Sequence, residues 1–170
     1  MRHIQDVFKL IIFAVMFCSI LYLSGMCLAQ TKYTVIRVID GDTLFVEDAG
    51  GIRYKIRLGV IDCPEKKQPW GSVAKKYMEA QLLNKKVVLK NIQKIPDRYN
   101  RPIVIVFYKG ENMNLKLIAK GLAEVYTGKQ PKGVNLKPYY KEQMKARAKL
   151  MCMWGEEKYI SPSDWRKGKR

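Results

Sequence analysis

Histidine is almost absent from this chain, since His3 is the single one among 170 residues. It lies in an N-terminal segment with the layout of an export leader, and the rest of the sequence has none. Without histidine, the main part of the chain cannot use a Ser-His-Asp triad or a Cys-His pair. It also cannot build a His-ligated zinc site. Acid–base chemistry must therefore come from carboxylates, Lys, Tyr or Cys.

Cysteines are few as well. Cys18 and Cys27 fall in the N-terminal segment, which leaves Cys63 and Cys152 for the remainder. Two cysteines so far apart, with no histidine, do not make a zinc site. They could form a disulfide in an oxidising compartment. The sequence leaves that question open, because it does not show whether the two Cα atoms lie within bridging distance.

Acidic residues are outnumbered by basic ones, with 15 Asp+Glu against 32 Lys+Arg and a net charge of +17. Such an excess favours binding to a polyanion, either nucleic acid or an anionic membrane surface. Charge alone does not choose between them, and a merely solubilising basic surface would have the same composition. A membrane-active protein is the weakest of these hypotheses, because no basic amphipathic helix stands out.

One long apolar run, residues 10–23, follows Arg2 and Lys9 and precedes small residues up to Ala29. This layout is typical of a signal peptide cleaved after Ala29, which we favour. The alternative is an uncleaved anchor, since residues 10–29 are about long enough to span a bilayer. Both send residues 30–170 across the membrane. We therefore expect an exported protein, periplasmic or secreted, or membrane-anchored if the leader is retained.

Residues 30–170 keep a net charge of +16, because residues 1–29 contribute only +1, and they fit one domain. Hydrophobic alternation predicts strands over 33–39, 43–47, 52–60, 87–92 and 103–108. Helical spacing predicts helices over 71–84, 112–120 and 136–151, the last with Tyr140, Met144, Ala148 and Met151 as its apolar stripe. Five short antiparallel strands with an intervening helix predict an α+β fold, a five-stranded OB-fold β-barrel with three helices.

Two acidic turns, DGDT at 40–43 and DCPE at 62–65, stand at strand ends in this basic chain. Asp42 and Asp62 are candidate ligands for a hard cation such as Ca²⁺ or Mg²⁺. Glu65 could orient or deprotonate an attacking water. Taken singly, each residue is explained equally well as a turn or loop charge, since Asp and Gly are common in turns.

Arg57 and Arg101 are candidate phosphate clamps, because a guanidinium binds phosphate with two parallel hydrogen bonds and stays charged. With the two acidic turns they supply what phosphodiester hydrolysis needs, namely a cation site, a base and positive charge for the transition state. The bland alternative for Arg57 is an exposed strand residue.

The motifs together resemble the thermonuclease family, the staphylococcal-nuclease-like enzymes. They are VIDGDT at 38–43, IRLGVIDCPE at 56–65, DRYNR at 97–101, GLAEV at 121–125 and a closing segment with Trp154, Ser161-Pro162 and Trp165-Arg166. The resemblance covers residues 33–165. It implies an OB-fold barrel and a Ca²⁺-dependent enzyme that hydrolyses DNA and RNA to products ending in 3′-phosphate.

The resemblance also implies a Ca²⁺ site. Asp42 and Asp62 would be ligands, the main-chain carbonyl of Cys63 a third, and Asp40 would support them without touching the metal. The family usually has Thr where this chain has Cys63. Because only a carbonyl is needed there, the substitution should be tolerated, whereas a thiolate ligand would favour softer metals.

The resemblance implies that Arg57, Glu65 and Arg101 are the catalytic residues. It also implies that the rings of Tyr99 and Tyr126 stack on the bases of the nucleic acid. Asn100 replaces the glycine usual in the DRYGR motif of the family. If that turn needs a positive φ, Asn is the best substitute, so Arg101 should still be placed correctly.

We therefore expect an exported Ca²⁺-dependent nuclease that acts as a monomer on DNA and RNA. No protein partner is implied, and membrane contact is expected only through the leader. The alternative is an OB-fold protein that binds nucleic acid without cutting it. Strand preference, the DNA-versus-RNA preference and the biological role are not encoded in any motif.

Overall fold

The computed structural model describes residues 31–169. The predictions on residues 1–29, including the leader and its cleavage after Ala29, lie outside this part of the chain. Its strands are β1 (Lys32–Asp40), β2 (Thr43–Glu47), β3 (Arg53–Leu58), β4 (Ile61–Asp62), β5 (Lys86–Asn91), β6 (Ile103–Tyr108), β7 (Glu111–Asn112) and β8 (Glu124–Val125). Its helices are α1 (Gly71–Leu82), α2 (Met113–Ala119), α3 (Lys137–Ala148) and the short α4 (Pro162–Arg166), with a 3₁₀ turn at Cys152–Gly155.

Five of these strands close into a barrel. β1, β2 and β3 form an antiparallel meander, β5 pairs with β1, and β6 pairs with β5. The barrel closes where β3 pairs with β6 through Arg57 opposite Ile103 and Leu58 opposite Val104. The prediction of an α+β fold, a five-stranded OB-type barrel with three main helices, is confirmed.

The closing pair departs from the antiparallel arrangement expected from the sequence, because β3 and β6 run parallel. Parallel neighbours need a long crossover connection. Here α1 and β5 supply it, since both lie between β3 and β6 in the chain. The barrel is therefore mixed.

The third strand is shorter than predicted. Alternation suggested a strand over 52–60, but β3 ends at Leu58 and Ile52 is 59% exposed. The chain bends at Gly59 and Val60, where Val60 has φ 71°. Val60 is still buried, so its apolar character reflects the core and not the strand. This bend redirects the chain toward Asp62.

The apolar stripe predicted for the last long helix is wrong. Tyr140 and Met144 are 48% and 65% exposed, whereas Tyr139 and Ala146 are buried. Tyr139 packs into the main core and its hydroxyl accepts a hydrogen bond of 2.8 Å from Asn112 Nδ2. This contact turns the neighbouring face of α3 toward the barrel.

Asn114, at the start of α2, ties the barrel together around the bend. It is fully buried. Its Oδ1 accepts from the Val106 N–H at 3.0 Å, and its Nδ2 donates to the carbonyls of Gly59 at 2.9 Å and Val104 at 3.1 Å. The bend that precedes Asp62 is thereby fixed to β6 and α2.

Both remaining cysteines are free thiols, Cys63 buried and Cys152 partly buried. Among residues 31–169, no helix is long and apolar enough to cross a membrane.

Candidate active site

The DGDT turn joins β1 to β2 and is held by its own side chains. Asp40 Oδ1 accepts the Asp42 N–H at 3.1 Å, and the Thr43 hydroxyl donates to Asp42 Oδ1 at 3.0 Å. Gly41 has no room for a side chain, because a Cβ there would lie 2.8 Å from Cys63 Sγ. The glycine thus lets the first acidic turn pack directly against the second.

Asp62 is fixed from the other side. It lies in β4, opposite Glu124 of β8, and is 1% exposed. Asp42 is 4% exposed. The two carboxylates converge on one cationic group, since Nη2 of Arg57 lies 2.8 Å from Asp42 Oδ2 and 2.9 Å from Asp62 Oδ1.

This crowding shifts the ionisation of the cluster. Burial raises the pKa of Asp42, and the nearby carboxylates of Asp40 and Asp62 raise it further, against the opposing effect of Arg57. Burial opposes the charge of Arg57, but the carboxylates of Asp42 and Asp62 raise its pKa overall. Asp42 and Asp62 share the guanidinium of Arg57, whose Nη2 contacts both carboxylates.

The donor set fits a hard divalent cation. Asp42 and Asp62 aim oxygens at a single point where Arg57 already places a positive group, and oxygen ligands suit Ca²⁺. Within residues 31–169, no three His, Cys, Asp or Glu side chains form a preformed cage. Further ligands would have to be backbone carbonyls or waters.

The thiol of Cys63 is poorly suited to bind a metal. Burial raises its pKa well above the usual range, and the carboxylates of Asp42, Asp40 and Asp62 add to this effect. A thiol must lose its proton to become a good ligand. The side chain is therefore expected to stay neutral, which leaves the main-chain carbonyl as the group that this residue can offer.

Glu65 is the last residue of the second turn and points into the same region. Its Oε1 lies 2.7 Å from Nη1 of Arg166, in the C-terminal helix α4. Nη1 of Arg166 also lies 3.1 Å from Asp62 Oδ1, and Nη2 lies 2.6 Å from Asp62 Oδ2. No role was predicted for Arg166, although it stands in the closing motif, because it also opens the basic run 166–170 and resembles a charged tail.

The DRYNR loop places Arg101 at the opposite side of the cluster. Asp97 accepts the N–H groups of Tyr99 and Arg101 at 2.9 Å each, and its Oδ2 lies 2.7 Å from Arg101 Nη2. Asn100 has φ 57°, so the positive φ expected at this position is present. Nη1 of Arg101 reaches to 3.4 Å from the hydroxyl of Thr43, next to Asp42.

One cleft of about 920 Å³ connects these groups. Such a volume suits a ligand of nucleotide size or larger. The predicted site residues that line it are Asp40, Asp42, Arg57, Cys63, Glu65, Tyr99, Arg101 and Tyr126. Asp62 lies beneath them, and the cleft also has Arg98, Lys129 and Arg166 in its walls.

The chain matches the family model for "Staphylococcal nuclease homologue" over residues 55–156. The chain belongs to the staphylococcal nuclease family. This match includes Arg57, Asp62, Glu65 and Arg101, whereas the turn at 40–43 and Arg166 lie outside it. The activity of the family makes the chain a nuclease.

Named relatives agree with this membership. An uncharacterized endonuclease of Haemophilus influenzae is 36% identical over 134 residues, which cover 78% of this chain and 71% of the relative. Thermonucleases of Staphylococcus hyicus and Staphylococcus intermedius are 38% and 36% identical over 100 and 98 residues, covering 55% and 54% of this chain. Those alignments span 59% and 58% of the two thermonucleases.

Proposed function

We propose that this nuclease is Ca²⁺-dependent and hydrolyses phosphodiester bonds of DNA and RNA, leaving 3′-phosphate ends. The observation that supports it best is the convergence of Asp42 and Asp62 on one cation position. Glu65 and Arg101 line the cleft above that position. The thermonucleases among the relatives are consistent with this specificity.

A bound Ca²⁺ would supply Lewis-acid polarisation of the phosphate. Asp42 and Asp62 would hold it, with the Cys63 carbonyl as a further ligand and Asp40 fixing the backbone of the turn. Glu65, partly exposed at the cleft wall, would orient a water and accept its proton as the water attacks phosphorus. The leaving group would be the 5′-oxygen.

Arg57 and Arg101 would stabilise the charge that develops on the phosphate oxygens. Arg57 contacts both carboxylates, so its guanidinium would have to turn toward the phosphate if a cation were bound between Asp42 and Asp62. Arg101 is already oriented by Asp97 and keeps N–H groups on the Thr43 side, next to the first acidic turn.

Tyr99 and Tyr126 would contact the bases. Tyr99 is 63% exposed and its ring lies under Arg98 and Arg101, with the guanidinium carbons 4.9 and 5.2 Å from the ring centroid. Tyr126 lines the same cleft beside Lys129. Stacking on aromatic rings tolerates any base, which suits an enzyme without sequence preference.

A plasmid cleavage assay tests the proposal. Purified protein is incubated with supercoiled plasmid in CaCl₂, in MgCl₂ or in EDTA, and we expect nicking and degradation with Ca²⁺ only. Glu65→Gln, Arg57→Ala and Arg101→Ala should each lower the rate, by roughly 10²-fold or more. Arg53→Ala is the control, because Arg53 lies in the same strand as Arg57 but pairs with Glu47 on the exposed surface.

Full activity in all three variants would refute these catalytic roles, and activity that survives EDTA would refute the metal. Binding of DNA without any cleavage in Ca²⁺ would instead support the second candidate, a non-catalytic OB-fold binder. Product ends that resist polymerase extension until treated with phosphatase would support 3′-phosphate release.

We also propose that the protein is exported by residues 1–29, either cleaved after Ala29 or retained as an anchor, and that residues 30–170 act as a monomer. N-terminal sequencing of the exported protein should begin at Gln30. A first residue of Met1 in a membrane fraction would favour the anchor. Size-exclusion chromatography with light scattering would test the monomer.

A further inference from the structure

The chain beyond Trp154 is held against the active site at several points. Trp70, just before α1, donates its Nε1–H to Glu156 at 2.6 Å. The hydroxyl of Tyr159 donates to Glu124, which pairs with Asp62 across the β4–β8 ladder. This segment therefore contacts the loop after the DCPE turn and the strand beside the metal-binding carboxylate.

Gln68 makes the link to the catalytic glutamate. It is 7% exposed. Its Oε1 accepts the backbone N–H of Glu65 at 3.1 Å, and its Nε2 donates to the carbonyl of Ile160 at 2.8 Å. Helix α4 begins directly after this contact, where Ser161 caps it by accepting the Asp164 N–H at 3.0 Å. The helix is thus positioned by the same side chain that fixes Glu65.

Arg166, the last residue of α4, reaches the two carboxylates on which the proposed chemistry depends. Its Nη1 and Nη2 form a two-pronged contact with the carboxylate of Asp62, and Nη1 also bonds Glu65. The pKa of Arg166 is raised above its usual range, first by the hydrogen bonds that Arg166 donates to Asp62, with Glu65 adding to the effect against the cost of burial.

One edge of this guanidinium remains available. Arginine has five N–H donors in a fixed plane, and three of them serve Asp62 and Glu65. The other two, on Nε and Nη2, lie along one edge and bond to no residue among 31–169. That edge has the geometry for a bidentate contact with two phosphate oxygens. The side chain is 39% exposed and lines the cleft.

We propose that Arg166 is a third phosphate-binding arginine of this active site, supplied by the C-terminal helix. One edge of the guanidinium aligns Asp62 and Glu65, and the other edge binds a phosphate of the nucleic-acid strand next to the attacking water. The proposal rests on the proposed function, since it assigns a substrate contact in the same cleft. It adds a residue beyond position 156, where the family match ends.

The charges in the cleft support this role over a purely structural one. Arg101 is largely neutralised by Asp97. Arg57 lies between two buried carboxylates. A substrate phosphate brings one further negative charge next to these carboxylates, and Arg166 is the cation that already touches both Asp62 and Glu65. The next cation along the chain is engaged elsewhere, since Lys167, directly after α4, pairs with Asp164 at 3.9 Å.

Arg166→Gln and Lys167→Gln form a matched pair of variants. Each removes one positive charge at the C-terminal end of α4, but of the two only Arg166 lines the cleft. The first measurement is binding of a fluorescein-labelled single-stranded oligonucleotide in EDTA, by anisotropy at several salt concentrations. The second is the steady-state cleavage rate with Ca²⁺, with the melting temperature recorded for every variant.

We expect Arg166→Gln to weaken oligonucleotide binding by about tenfold and to lower the slope of log affinity against log salt by about 0.7, the loss of one phosphate contact on a single strand. Its kcat/KM should fall by about tenfold or more. Lys167→Gln should stay within about twofold in binding and rate, as expected for an exposed charge screened by salt.

Arg166→Lys keeps the positive charge but removes the planar edge of the guanidinium. This variant tests the phosphate contact if Arg166→Gln fails to fold. We expect it to retain the wild-type salt slope and to lose at least about fivefold in kcat/KM, because lysine cannot make the bidentate contact. Wild-type binding and kcat/KM in Arg166→Lys would overturn the proposal.

Two other outcomes would also overturn it. If Arg166→Gln behaved like Lys167→Gln, the residue would contact no substrate. If Arg166→Gln cleaved faster than wild type, the guanidinium of Arg166 would be inhibitory, because it would occupy the carboxylates of Asp62 and Glu65. A wild-type protein that neither bound nor cleaved DNA would instead refute the proposed function itself.

Discussion

Replacing Asp42 with Asn removes a negative charge from the most crowded part of the site. Asp42 is 4% exposed, and burial raises its pKa to about 7 even though Arg57 opposes the shift. A carboxyl whose pKa is raised in the folded protein stabilises it only while protonated. That contribution is complete below 3.8, the pKa of the unfolded chain, and is lost as the pH rises through about 7.

The magnitude follows from the same difference in pKa. At about 1.4 kcal/mol per pKa unit, ionised Asp42 lowers the free energy of unfolding at pH 8 by about 4 kcal/mol. Asparagine has the shape of the neutral acid, but its amide is a weaker partner for Arg57 than a carboxylate. The poorer hydrogen bond lowers the free energy of unfolding by about 1–2 kcal/mol. The Asp42→Asn variant should therefore be more stable than wild type by about 2–3 kcal/mol at pH 8 without metal.

Urea unfolding of both proteins in EDTA at pH 4 and pH 8 measures this. At pH 4 the side chain of Asp42 is protonated in the folded wild type, so the cost of the amide dominates and the variant should be less stable by about 1 kcal/mol. With CaCl₂ at about 100 times the dissociation constant, wild type should gain about 2.7 kcal/mol. The variant, which has lost a ligand, should gain much less.

Asp97→Asn is a control for which we expect the opposite change in the free energy of unfolding at pH 8. Burial opposes ionisation of Asp97, but hydrogen bonds from Arg101 and the Tyr99 N–H lower its pKa overall. Its contribution to stability is present above 3.8 and is lost as the pH falls through the lowered value. This variant should therefore lose stability at pH 8. If Asp42→Asn were also destabilised at pH 8 in EDTA, the electrostatic account of the cluster would be refuted.

Two further predictions concern the scaffold of the site. Asn114→Ala should lower the free energy of unfolding by about 3–5 kcal/mol, because the Val106 N–H and the Gly59 carbonyl lose buried hydrogen-bond partners. A loss below about 1 kcal/mol in urea unfolding would contradict this prediction. Asn100→Gly should cleave DNA at the wild-type rate, whereas Asn100→Ala should lose about 1 kcal/mol of stability and misplace Arg101, because φ is 57° there. Equal cleavage rates in the Gly and Ala variants would refute that strain.

Local patterns predicted most elements of the fold. The strand at 43–47 and the strand at 103–108 have the predicted bounds, because each is a run of β-branched and aromatic residues between turn residues. Gly121 lies two residues after the end of α2 and has φ 66°, the left-handed conformation expected of a glycine that follows a helix.

Periodicity failed where tertiary contacts competed with it. Tyr140 and Met144 have helical spacing, but both are exposed. Helix α3 instead buries Tyr139, whose hydroxyl accepts a hydrogen bond from Asn112. Two apolar faces on one helix look alike in sequence, and only a tertiary contact, here with Asn112 of β7, selects one of them. The parallel pairing of β3 with β6 has the same origin, since barrel closure depends on partners 46 residues apart in the chain.

By itself the sequence determined which chemistry is open to this protein. The lack of histidine beyond residue 3 leaves carboxylates as the main acid–base groups, and the two acidic turns with Arg57 and Arg101 predict a cation site and a phosphate site. These residues lie within short motifs, so their spacing along the chain is enough to find them.

Only the tertiary structure decided how these groups meet. It brought Asp42 and Asp62 to the guanidinium of Arg57, and it placed Arg166 against Asp62 and Glu65, which lie 104 and 101 residues earlier in the chain. Such a contact depends on how α4 is anchored through Gln68, and no local pattern encodes that. The physical reason is that electrostatic pairing acts through distance in space, whereas sequence motifs record distance along the chain.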